Sequence, residues 1–129
     1  MKLFLDDMRV PDDCLLYMYD RPGVDPKIYT EKWNVVTNYD EFVEAIEKNK
    51  GSITHISFDH DLSDEHYHPD MYRGTEIYNI LYNTFKEKTG YDCAKWFKQY
   101  YAVNNLQLPE IIVHTQNPAG YQNITNLFS

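Results

Sequence analysis

A chain of 129 residues, 43% of them hydrophobic, is long enough to bury a core without staples and is not disordered by composition. Lys and Arg number 12 against 20 Asp and Glu, a net charge of −8 with no long basic run, which excludes a broad footprint on duplex DNA or an anionic membrane. The same balance suits a divalent cation, which takes carboxylate oxygens, and admits a small anionic ligand where local cations offset the field.

The two cysteines, Cys14 and Cys93, have no metal-type spacing and read as free thiols of a reducing compartment. The apolar opening Leu3-Phe4-Leu5 is too short for a signal peptide or a span, and no later stretch approaches 18 apolar residues. A soluble cytoplasmic protein is expected. The 12 tyrosines suit the rim of a core, and a few could line a pocket for a base or sugar.

In chain order, residues 3–5 read as a buried strand whose carboxyl end is Asp6. Pro11, Pro22, Gly23 and Pro26 allow at most a short helix near residues 12–19, then irregular chain. A second strand is expected over 33–37. Asn38 and Glu41 have capping-box spacing, and Phe42, Val43, Ala45 and Ile46 give residues 39–49 an apolar stripe, with Gly51 closing the helix. Residues 53–58 predict a third strand ending at Asp59-His60-Asp61. Residues 62–74, with His66 and His68, read as a polar irregular stretch. Ile77, Tyr78, Leu81 and Phe85 predict a helix over 75–86 that Gly90 breaks. Ala94, Phe97, Tyr100 and Tyr101 predict another over 91–102. Residues 111–113 form a fourth strand ending at His114, and Asn117-Pro118 starts a last helix carrying Ile124, Leu127 and Phe128.

Apolar strands alternating with amphipathic helices predict one α/β domain over residues 1–129 with a parallel sheet in the order 2-1-3-4. Three strands then deliver titratable side chains to one rim, where open sheets bind ligands: Asp6 and Asp7, Asp59 to Asp61, and His114 with Thr115. Each group alone has a plain structural reading as a turn, cap or hydrogen-bonded core residue. Their convergence is what suggests a site. Clustered carboxylates repel unless a cation neutralises them, so Asp6, Asp7, Asp59 and Asp61 are the expected metal ligands, with Mg²⁺ the natural filler and another divalent metal also suitable. Arg9 could fork onto a phosphate, the helix start at Asn117 could hold an anion, and His60 or His114 could move a proton.

These residues resemble a known family. Leu3-Phe4-Leu5-Asp6-Asp7-Met8-Arg9-Val10-Pro11 is similar to the opening L-F-L-D-D-x-R-x-P of the cyclic-phosphate processing receiver-like domains. Phe58-Asp59-His60-Asp61-Leu62 resembles their D-H-D-L-G segment, and residues 114–123 resemble their H-S-x-N-P-x-G-x-x-N segment. Ser63 stands in place of the motif's glycine, and Thr115 in place of its serine. The resemblance implies a receiver-like, flavodoxin-like three-layer fold in a bacterial or phage protein that processes cyclic phosphates on nucleotide-derived molecules, either RNA ends or ADP-ribose cyclic phosphate. Carried over by motif, it marks Asp6, Asp7 and Arg9, then Asp59, His60 and Asp61, then His114, Asn117, Gly120 and Asn123.

The expected activity is therefore a metal-dependent phosphoesterase. Asp59, His60 and His114 are its catalytic candidates. Arg9, Thr115, Asn117, Gly120 and Asn123 are the candidates for holding a small phosphorylated substrate. Two other classes stay open: a receiver-type signalling module phosphorylated at Asp59, and a binder that sequesters a cyclic nucleotide. Response-regulator receivers need a lysine at the end of a fifth strand, and none is expected here: no strand follows Phe128, and Lys98 is the last lysine.

Overall fold

In a computed structural model, which describes residues 1–63 and 88–129, four strands form one sheet in the order β2-β1-β3-β4. They are β1 (Lys2–Leu5), β2 (Asn34–Val36), β3 (His55–Phe58) and β4 (Glu110–Val113), and every neighbouring pair is parallel. The expected order is thus the observed one, with strand ends moved by a residue or two. No helix of the described residues is long and apolar enough to cross a membrane. The stretch 62–74, beyond its first two residues, and the expected helix over 75–86 lie outside the described residues.

Pleat alternation assigns the sheet's two faces. Leu3, Leu5, Ile56 and Phe58 enter a core with Phe42 and Ile46 of α1 (Tyr39–Asn49), Cys93, Ala94, Phe97 and Tyr101 of α2 (Gly90–Val103), and Ile124 of α3 (Pro118–Leu127). Phe4 and Ile112 enter a second core with Cys14, Met18, Tyr29 and Trp33. The sheet is therefore the middle of three layers, as in receiver-like α/β folds. Both cysteines are free and buried, one in each core.

The second outer layer is made of short 3-10 helices at Pro11–Leu16, Met18–Asp20 and Pro26–Thr30. Sequence patterning suggested one short helix followed by irregular chain. The Pro26–Thr30 turn was nonetheless signalled by Asp25, whose side chain accepts from the Lys27 N–H, followed by a first-turn proline. α1 starts as expected: Asn38 Oδ1 accepts from Glu41 N–H at 2.8 Å. The Glu41 carboxylate reaches one residue past a capping box, to Thr37 N–H and its hydroxyl.

The helix over 75–86 that Gly90 was expected to break lies outside the described residues, but Gly90 itself has a packing part that the sequence did not suggest. It is the first residue of α2, after a Thr89–Asp92 capping box. Its N–H donates to His60 O at 2.7 Å, and a Cβ there would overlap the Asp59 carbonyl oxygen. Glycine lets α2 rest on the chain leaving β3. Because the obstructing atoms are backbone, Gly90→Ala is expected to lower stability by about 1–3 kcal/mol or more. Urea unfolding checks this, and an unchanged midpoint would contradict the close approach.

Candidate active site

Asp6 follows β1 and is 1% exposed. Its Oδ1 accepts from Met8 N–H at 2.9 Å and Arg9 N–H at 2.8 Å, which closes the turn after the strand. Its Oδ2 faces His114 Nε2 at 2.9 Å and Arg9 Nη1 at 3.3 Å. Burial alone would raise the Asp6 pKa, but His114 and the two backbone donors outweigh it and hold the carboxyl below its usual range. Burial holds His114 below its ordinary value despite Asp6. The pair is thus a carboxylate and a neutral imidazole.

Asp59, immediately past β3, is also 1% exposed. Its Oδ1 lies 3.6 Å from Arg9 Nη1, and its buried Oδ2 has no hydrogen-bond partner among the described residues. Burial and then the Asp6 charge push its pKa well up, against the pull of Arg9. One guanidinium therefore stands between two buried carboxylates. Arg9 also donates from Nη2 to Gln116 Oε1 at 3.0 Å, and Arg9 and Arg21 both lie against the Tyr17 ring.

The remaining residues of the two motifs meet on the α3 side. His60 Nδ1 pairs with Asp61 Oδ1 at 2.8 Å, and Asn117 Nδ2 reaches the same oxygen at 3.4 Å. Asn117 Oδ1 caps α3 by accepting from Gly120 N–H, and Thr115 Oγ1 accepts from Asn117 N–H. The helix start expected to hold an anion is thus partly used by its own cap. Gly120 packs on the His60 ring, where a Cβ would come within 2.6 Å of Cγ. Asn123 lies one turn further along α3, half-buried.

Among the described residues, Asp6, Asp59 and His114 are the group that could hold a metal, one ligand atom from each lying within 4.8 Å of the others. Asp61, directed at His60 and Asn117, and half-buried Asp7 are not in that group. The donor set suits a hard cation, and Asp59 Oδ2, without a partner among the described residues, is an oxygen such an ion would satisfy.

Several contributors carried no motif signal. Ser57 Oγ lies 2.7 Å from His114 Nδ1 and 2.8 Å from Tyr29 Oη. Arg21 donates to Val113 O and Thr115 O, both at 2.7 Å, and Tyr17 Oη donates to His114 O at 2.7 Å. These two residues hold the chain that carries His114 and Thr115 out of β4. Ser57 was findable as a small hydroxyl between the apolar residues Ile56 and Phe58 of the third strand.

Comparison with curated proteins and with solved structures gives no match. A family model does match, that of the cyclic-phosphate processing receiver domain, over residues 1–129. With the 2-1-3-4 parallel sheet and the three motif segments gathered at its carboxyl rim, the chain belongs to the cyclic-phosphate processing receiver domain family.

Proposed function

We propose that the chain hydrolyses a cyclic phosphodiester on a nucleotide-derived molecule, an RNA end or an ADP-ribose cyclic phosphate, to a phosphomonoester in a reducing cytoplasm. The observation that carries this reading is the buried carboxylate pair Asp6–Asp59, with Asp59 Oδ2 lacking a hydrogen-bond partner among the described residues. A divalent cation there, Mg²⁺ first, would neutralise the pair and polarise a phosphate oxygen.

The chain's own residues do the rest. Arg9, a quarter exposed, has guanidinium donors for phosphate oxygens beyond those directed, among the described residues, at Asp6, Asp59 and Gln116. Asp61 on Nδ1 sets His60 in the tautomer whose basic nitrogen is Nε2, and Asn117 steadies Asp61. His60 takes a proton from water as the water oxygen bonds phosphorus. One ring P–O ester bond breaks, and the departing oxygen receives that proton back from His60. Thr115, Gly120 and Asn123 shape the wall beside it.

The expected result is Mg²⁺-dependent conversion of a cyclic phosphate to a monoester, read by phosphorus NMR with purified protein. No conversion across nucleoside cyclic phosphates and ADP-ribose cyclic phosphate would sink the reading. The second reading is a receiver-type module in which Asp59 accepts a phosphoryl group. A stable single adduct with acetyl phosphate, seen by intact mass, would favour that one.

A further inference from the structure

A buried chain of four side chains runs from the 3-10 layer through the sheet to the acidic pair. Tyr29 Oη meets Ser57 Oγ at 2.8 Å, Ser57 Oγ meets His114 Nδ1 at 2.7 Å, and His114 Nε2 meets Asp6 Oδ2 at 2.9 Å. None of the four is more than 1% exposed. The His114 ring is also stacked on Phe4, with centroids 4.4 Å apart and planes 6° from parallel, so it cannot turn away.

Counting protons gives the chain one direction. An Asp6 carboxylate only accepts, so His114 Nε2 is the donor. The neutral ring then offers Nδ1 as an acceptor, which Ser57 fills with its hydroxyl proton. Ser57 has lone pairs to spare and accepts from Tyr29. Three donors meet three acceptors. In the reverse direction His114 would carry its proton on Nδ1 and present a lone pair at Nε2. Ser57 would accept from the ring, and one hydroxyl proton of Ser57 or Tyr29 would have no acceptor, since neither has a further partner among the described residues. A buried donor left unmade is costly.

We propose that Tyr29 and Ser57 are positioning residues that fix His114 as the Nε2–H tautomer aimed at Asp6, so that His114 orients Asp6 and stays outside the coordination of any cation the carboxylates hold. The statement about the tautomer stands on the hydrogen-bond chain alone; the statement about the cation rests on the proposed function. His114 thus acts through Asp6, as outer partners of metal ligands do.

The test is long-range proton–nitrogen correlation NMR on histidine-labelled protein, with the His114 signals identified by their loss in His114→Gln. A protonated Nε2 and a pyridine-like Nδ1, both unchanged at saturating Mg²⁺, are expected. A proton on Nδ1, before or after Mg²⁺, overturns the proposal. If the tautomer is as stated but Mg²⁺ moves no resonance of the site, the chain is upheld and the cation reading of the proposed function fails. Ser57→Ala is expected to weaken Mg²⁺ binding about tenfold and to shift the Nδ1 signal, with Ser57→Thr restoring both. Equal affinity in Ser57→Ala and the native chain overturns the positioning role. Tyr29→Phe, which removes only the terminal donor, is expected to shift Nδ1 in the same sense and serves if Ser57→Ala does not fold.

Discussion

Asp6→Ala is expected to cost about 3–5 kcal/mol, the range for removing one partner of a buried ionic group. That is a large share of the ~5–15 kcal/mol that holds a domain together. The substitution strands Met8 N–H, Arg9 N–H, His114 Nε2–H and one Arg9 donor at once. Arg9 can turn to water, but His114 is fully buried and cannot. The pH dependence has a definite sign. The folded pKa of Asp6 is depressed, so its contribution is present above the ordinary carboxylate range and lost as pH falls through the folded value. Urea unfolding should therefore show the variant deficit shrinking in acid. A neutral-pH loss below about 1 kcal/mol would mean that the four donors find other partners.

Asp59→Asn is expected to act in two opposed ways. Without a divalent cation the variant should be more stable than the native chain at neutral pH. Burial and the Asp6 charge raise the folded pKa of Asp59, so its contribution is full below the ordinary carboxylate range and lost as pH rises through the folded value. An amide carries no such loss. With Mg²⁺ the order should reverse, because the ion stabilises only a chain that binds it. Loss of a direct ligand should weaken Mg²⁺ binding by more than the roughly 10- to 100-fold typical of an outer partner, and turnover with it. Thermal unfolding across pH, with and without Mg²⁺, reads both effects. A variant that Mg²⁺ still stabilises like the native chain would remove Asp59 from the cation site.

Much of this was legible in the residues. Short apolar runs ending in acids and histidines gave the sheet, its order and the rim where the groups gather. The finer assignments needed pleat and packing. Asp6 and Asp7 look equivalent in sequence, but Asp6 shares a parity with Phe4, whose ring lies on His114, and so Asp6 is the one that meets that histidine. The packing part of Gly90 was not legible because only the folded chain brings the Asp59 carbonyl against it. Arg21 lies 92 residues from Val113, its carbonyl partner, a pairing that no local pattern encodes. The same holds for Tyr29 and Ser57, which meet across the layer boundary.

The two outer layers are unequal, and this bears on where the fold opens first. Arg9, Tyr17 and Arg21 stand on or beside the 3-10 segments of residues 11–30, whose i→i+3 bonds have poorer geometry than α-helical ones. Asp59 and His60 are tied to α2 through the Gly90 contact, and α2 lies over the larger core. Local opening is cheapest where such bonds are weakest. Amide exchange should therefore begin in the 3-10 layer and reach the backbone held by α2 over the larger core only later.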